Sequence, residues 1–292
     1  MSESDQWKGA SAWRWLDRPL APAVLREILD GGQAFRWFFK PESGEWHGSW
    51  GRFSTALRLT EEGVEVRPGP ETDLREVKKY WAATTCFRDL EDELPWRGDP
   101  VLASAMEAFP GLRILRQPIG ETLLAFLLSS TKPIAQIKLL LDRLAHHFGQ
   151  ALGNGLNALP AWEHLAQVEE TDLRRLGLGY RARYIHTIAR ALKGQWADFE
   201  ETLSGLSYSE ALERLLQLPG VGRKIADCVL LFGGGRMEAF PMDTWIRRVM
   251  EERYRLSGFS AAQLLRFAEV HFQPAPGLAQ QYLFSWIRKQ GR

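Results

Sequence analysis

The chain has 292 residues and only two cysteines, Cys86 and Cys228. Two thiols cannot build a disulfide framework, and they cannot supply a four-cysteine zinc or iron–sulfur site within one chain. Such usage fits a reducing compartment and predicts a cytoplasmic protein. Long hydrophobic runs are missing too. The longest uninterrupted apolar stretch, Leu123 to Leu128, falls far short of the ~20 residues that cross a bilayer. Met1 to Asp17 is polar and Trp-containing without an apolar h-region, so no secretory signal is read there. Nor is there an excess of charge: 37 Lys and Arg stand against 36 Asp and Glu, a formal net charge of +1. A polyanionic partner would therefore have to be met by local charge. Tryptophan, by contrast, is plentiful at 12 residues, which suits large aromatic cores or flat stacking surfaces. With 45% hydrophobic and 25% charged residues the composition is globular, and the length suggests about two domains.

The texture changes near residue 115. Before it, short aromatic and β-branched runs alternate with Gly, Pro and Glu turns: Gln33–Phe39, Glu45–Trp50, Ala56–Leu59 and Val64–Val66. These predict an antiparallel sheet, with helices following around Asp73–Ala82 and Val101–Ala108. From Pro118 onward nearly everything has helical period, as in Ile134, Ile137, Leu141, Leu144 and Phe148. Further helices are expected at 180–192, 209–216, 223–232, 244–254, 261–272 and 278–289. The fold class is therefore α+β: a β-rich domain over 1–115, then a mostly helical region over 116–292. The boundary at Phe109-Pro110-Gly111 is short, so the two parts should pack together.

Leu218-Pro219-Gly220-Val221-Gly222 lies between two helical stretches. Pro219 stops the first helix, and the glycines permit a tight turn. The next helix opens at Arg223 with free N–H groups that could receive a backbone phosphate, without reading sequence. Lys224 sits in that first turn, beside an arginine and a positive helix end, where losing a proton costs less. After the loop Gly233-Gly234-Gly235-Arg236, Asp243 precedes the apolar period Trp245, Ile246, Val249, Met250 and is placed to cap a helix. Taken singly, each is an ordinary helix residue. The three features in this order are not ordinary.

The run Leu218 to Cys228 (LPGVGRKIADC), followed by Phe240-Pro241-Met242-Asp243, resembles the helix–hairpin–helix DNA glycosylases that carry a Gly/Pro-rich loop and a catalytic aspartate. Within that superfamily the chain is similar to the 8-oxoguanine DNA glycosylases. Three more runs carry the resemblance: Gly32 to Trp37 (GQAFRW), Gly111 to Gln117 (GLRILRQ) and Leu176 to Tyr184 (LGLGYRARY). It spans roughly residues 20–288 and includes the β-rich domain that the endonuclease III branch lacks. The resemblance implies that Lys224 attacks C1′ of the damaged nucleotide, expels the base and forms a Schiff base. Asp243 would stay ionised and stabilise the developing oxocarbenium charge. A lysine that must be neutral implies activity rising with pH on its acid limb.

Reading the base requires it out of the stack. By the resemblance, the Gly32 main-chain carbonyl accepts the N7–H that 8-oxoguanine has and guanine lacks. Gln280 matches the reader of the Watson–Crick edge, Phe284 the aromatic that stacks on the base, and Cys228 the small sulfur residue on its other face. Tyr180 and Arg181 match the wedge and the reader of the orphaned opposite base, and Gly220 and Gly222 the hairpin at the backbone. Leu173 to Ala197 holds Arg174, Arg175, Arg181, Arg183, Arg190 and Lys193 with no acidic residue, a local basic stretch. Three positions depart from the eukaryotic pattern. Thr131 stands where an asparagine fills the gap in the duplex, and Gln136 where an arginine contacts the opposite cytosine. Trp245 stands where a histidine contacts a flanking phosphate. Glutamine has neither the charge nor the fork of arginine, so strict preference for cytosine opposite the lesion should be relaxed.

The resemblance thus implies a bifunctional glycosylase and abasic-site lyase in base excision repair, acting on double-stranded DNA as a monomer with no membrane association. It would act with the chromosome, which means in the nucleus if the source is eukaryotic. No redox cofactor or catalytic metal is implied, only a structural monovalent cation at the hairpin main chain. Two alternatives stand beside it. A monofunctional alkylated-base glycosylase would keep Asp243 but usually lacks the hairpin lysine. A non-catalytic helix–hairpin–helix DNA-binding module needs neither Lys224 nor the β-rich domain.

Overall fold

The computed structural model describes residues 12–153 and 155–291. Five strands form one antiparallel sheet: β1 (Arg14–Asp17), β2 (Trp37–Lys40), β3 (Glu45–Trp50), β4 (Phe53–Leu59) and β5 (Val64–Pro68). Their order is β1-β5-β4-β3-β2. Helix α1 (Pro22–Asp30) leaves β1 with a proline in its first turn and buries Val24, Leu25, Ile28 and Leu29 on one face. Tryptophan builds this core. Trp37 stacks on Trp50 with ring centroids 6.5 Å apart, and its indole donates to the Tyr80 hydroxyl at 3.0 Å. Trp81 donates to Asp17 at 2.7 Å, so both buried indole N–H groups find acceptors.

Glu45–Trp50 pairs over the expected span, but Gln33–Phe39 does not. Only its end pairs as β2, because Gln33 is fully buried and spoken for. Its amide donates to the Arg113 carbonyl and accepts from Leu115 N–H, each at 2.9 Å. Its own carbonyl accepts from the Gln117 side chain at 2.6 Å. These bonds lash Gly32–Arg36 to the 113–117 segment rather than to a neighbouring strand. The edge strand β1 and helix α1 have no counterpart in the sequence reading.

Helices α2 (Leu74–Tyr80), α3 (Phe87–Glu93) and α4 (Pro100–Ala108) complete the N-terminal part. The helical region follows: α5 (Ile119–Leu128), α6 (Ile134–Phe148), α7 (Trp162–Leu165), α8 (Glu170–Arg175), α9 (Arg181–Ala191), α10 (Trp196–Gly205), α11 (Tyr208–Leu216), α12 (Arg223–Cys228), α13 (Thr244–Glu252), α14 (Ala261–His271) and α15 (Pro276–Gln290). The helix expected over 223–232 changes pitch at Val229 and ends as a π-turn over Val229–Gly233. The α+β class is borne out. The two parts share one continuous core. Arg116 N–H bonds the Tyr80 carbonyl and Gln117 N–H the Phe232 carbonyl, each at 2.8 Å. The C-terminal helix α15 returns to pack on α4, and its Tyr282 hydroxyl donates to Glu91 at 2.6 Å.

Candidate active site

The hairpin joins α11 to α12. Gly220 has φ +78°, and a Cβ there would fall 2.4 Å from the Tyr184 ring, so the turn both requires and exploits glycine. Gly222 is the N-cap of α12, with open space around its Cα. α12 is locked in place by Asp227, whose carboxylate is fully buried. It accepts from Arg223 Nε at 2.9 Å and from the Tyr208 hydroxyl at 2.6 Å. This anchor fixes the helix face that carries Lys224 and Cys228.

Lys224 points into a cavity of about 720 Å³ lined by residues from both parts of the chain. That volume falls in the range of small-molecule clefts. Lys224 Nζ donates to Ser129 Oγ at 3.1 Å and lies 5.1 Å from the Phe126 ring centroid. Ser129 donates its own proton to the Phe126 carbonyl at 2.7 Å, so a lone pair faces the lysine. Asp243 caps α13: its Oδ1 accepts from Ile246 N–H at 2.9 Å, as the sequence predicts. Burial pushes the Asp243 carboxyl above the ordinary carboxylate range. The Ile246 and Trp245 N–H groups and the charges of Lys224 and Arg288 pull the other way.

Eight of the residues singled out by sequence line this one cavity: Gly32, Thr131, Lys224, Cys228, Asp243, Trp245, Gln280 and Phe284. Gly32 has φ +109°, and a Cβ there would lie 3.0 Å from Ile134 Cδ1 and 3.6 Å from Phe284 Cε1. Only glycine permits that backbone at that closeness. Gln280 is buried and donates to the Pro241 carbonyl at 3.0 Å. Burial pushes the Cys228 thiol up to about 12, so it stays protonated and acts as a small apolar wall. Trp245 is half-buried, its indole against Gly291 at the end of α15.

Five singled-out residues lie outside the cavity lining. Gln136 is exposed in the first turn of α6. Gly220 and Gly222 form the hairpin rim. Tyr180 is half exposed, and its hydroxyl donates to Ser130 Oγ at 3.2 Å. Arg181 is buried at 4% exposure and donates to the Ser130 carbonyl and to Thr131 Oγ1, the latter at 3.2 Å. The Ser129–Thr131 turn thus touches the lysine on one side and the Tyr180–Arg181 pair on the other. The basic stretch is thinner than its sequence suggests. Glu170 and Asp172, just upstream, bind Arg174 and Arg175 at 2.6 Å each. Arg183, Arg190 and Lys193 remain exposed.

Several cavity residues carried no separate signal. Phe126 belongs to the apolar run of α5, and Ser129 follows it. Gln281 shares the wall with Gln280, and a second glutamine inside the otherwise apolar Leu278–Leu283 stretch was the available clue. Arg288 donates to the Gly31 carbonyl and to Glu27 Oε1, the latter at 3.1 Å. Its guanidinium lies 5.0 Å from the Phe284 ring centroid. It therefore pins the residue before Gly32.

An amine and a carboxylate sharing one pocket can add a nitrogen to an electrophilic carbon and stabilise positive charge on it. A glycine hairpin opens onto the N-terminus of the helix that carries this amine. The chain belongs to the HhH-GPD superfamily of base excision DNA repair proteins, which it matches over residues 124–273. Residues 16–123 match the N-terminal domain of 8-oxoguanine DNA glycosylase. A probable N-glycosylase/DNA lyase of Methanothermobacter thermautotrophicus is 31% identical over 254 residues, covering 78% of this chain and 80% of that protein. The structure of the Clostridium acetobutylicum 8-oxoguanine glycosylase/lyase, in complex with duplex DNA carrying cytosine opposite 8-oxoguanine, superposes with a TM-score of 0.82 at 28% identity. It covers 92% of each chain. MBOgg1 in complex with a low-affinity DNA ligand gives a TM-score of 0.84 at 29% identity, covering 97% of this chain and 99% of that one.

Proposed function

We propose that the protein releases 8-oxoguanine from duplex DNA and then nicks the strand at the abasic site. The observation that carries this reading is Lys224 and Asp243 in the same cavity as Gly32, Cys228, Gln280 and Phe284. The Lys224 amine attacks C1′, and the C1′–N9 bond breaks with its electron pair going to the base, which takes up the proton that the attacking nitrogen gives up. Asp243 holds a negative charge against the cationic sugar. Ring opening gives the Schiff base. Loss of a C2′ proton then expels the 3′ phosphate by β-elimination. The base lies between the Phe284 ring and the Cys228 side, with its N7–H toward the Gly32 carbonyl. Arg183, Arg190 and Lys193 supply charge to the duplex, and the enzyme acts as a monomer where the chromosome lies.

Borohydride trapping on a duplex with one 8-oxoguanine tests the reading. Native protein should leave a covalent protein–DNA adduct, and Lys224→Gln should leave none. Absence of an adduct with native protein that still binds the duplex would overturn it.

A further inference from the structure

We propose that Gln281 is a specificity-determining residue that reads the carbonyl at position 6 of the extruded purine; this rests on the proposed function above. Gln281 is 1% exposed, lies on the cavity wall, and its Nε2 has no hydrogen-bond partner among the described residues. A buried amide left unpaired is unfavourable, and on the wall of a pocket a bound base would satisfy it. Its neighbour Gln280 is unpaired in the opposite sense. The Gln280 Nε2 is committed to the Pro241 carbonyl, which fixes the amide orientation and leaves Oε1 buried without a partner.

Both amides belong to one turn of α15. They occupy positions three and four residues before Phe284 on α15, so both lie one helical turn from the ring that would carry the base. The wall therefore carries one unpaired acceptor and one unpaired donor on consecutive residues. An oxopurine presents the complement on adjacent atoms: N1–H donates and the carbonyl at C6 accepts. An adenine-type edge presents the reverse, an accepting N1 and a donating 6-amino group. The Gln280–Gln281 pair thus selects a lactam edge, and Gln281 supplies the half that depends on the 6-oxo group.

The test is single-turnover base release opposite cytosine from three substrates: 8-oxoguanine, 8-oxohypoxanthine and 8-oxoadenine. The first two share the 6-oxo group, and the third carries a 6-amino group. Gln281→Met keeps the length of the side chain and removes its hydrogen bonds. It should slow release of both 6-oxo bases by about tenfold, the worth of one such bond. Release of 8-oxoadenine should be unchanged or faster, since a donor facing its 6-amino group is removed, and nicking of a preformed abasic site should be unchanged. The nicking control reads fold and nucleophile without the base. An equal fall on all three bases, a fall in abasic-site nicking, or unchanged release of 8-oxoguanine by folded Gln281→Met would each overturn the assignment. Native protein that nicks abasic DNA yet releases no 8-oxoguanine would instead overturn the proposed function, a result that no comparison of variants can produce.

Discussion

Replacing Asp243 by asparagine separates two jobs that one side chain performs. The first is structural: Oδ1 accepts from Ile246 N–H at 2.9 Å and caps α13. Asparagine caps as well as aspartate, whereas alanine loses roughly 1 kcal/mol. The second job is the charge, set near Lys224 and buried enough to raise its pKa. Losing one preorganised charge or donor at a developing ion costs roughly 3–4 kcal/mol, about 10²–10³-fold in rate. Asp243→Asn should therefore keep the fold and lose base release by that factor. Stability moves the other way. The native carboxyl holds its proton more tightly than the unfolded chain does, so ionising it above its raised pKa costs stability at neutral pH. Asparagine removes that cost, and its melting temperature at pH 7 should equal or exceed that of the native protein. At low pH the difference should vanish, because the native carboxyl is then protonated as well. Single-turnover release and thermal melts across pH 4–8 measure both. Near-native release by Asp243→Asn, or a melt lowered as far as in Asp243→Ala, would refute the division.

Native base release should also fall on acidification at a higher pH than an ordinary carboxylate would give, since protonated Asp243 cannot stabilise the cation; a flat profile down to pH 4 would count against this. Gly32→Ala forces φ +109° on a side chain 3.0 Å from Ile134 Cδ1, so it should cost about 1–3 kcal/mol of stability. It should also reduce 8-oxoguanine release more than abasic-site nicking, as parallel kinetics would reveal. Maleimide should label native protein once, at exposed Cys86, and twice after denaturation, because the Cys228 thiol is buried and pushed up to about 12. With Gln136 exposed and uncharged, release opposite adenine should stay within about tenfold of release opposite cytosine. Gln136→Arg should widen the gap by the ~1–3 kcal/mol of one bidentate base contact. A steep native preference for cytosine would contradict the relaxed reading.

Local patterns were legible wherever the chain itself decides the outcome. Asp243 stands before an apolar helical period and caps it. Glu45–Trp50 alternates and pairs over its whole length. Errors arose where distant groups intervene. Gln33 looks like a strand residue, but its amide is taken by Arg113 and Leu115, some 80 residues away. Arg174 and Arg175 look free until acids just outside the stretch claim them. The cavity itself was reachable only through the motifs. Ser129 meets Lys224 across 95 positions, and Arg288 reaches Gly31 across 257. No periodicity reports such contacts, because tertiary packing alone creates them.

The tight seat of Gly220 on Tyr184 has one more consequence. The Tyr184 ring meets Tyr180 edge to face, with centroids 6.0 Å apart. The hairpin and the exposed tyrosine tip are thus two jaws on a single rigid mount, and the packing of two rings sets the gap between them. On the proposed function, one jaw grips a phosphate and the other enters the duplex. The pair would then work as a calliper, with the ring packing holding the distance between its two grips on the strand.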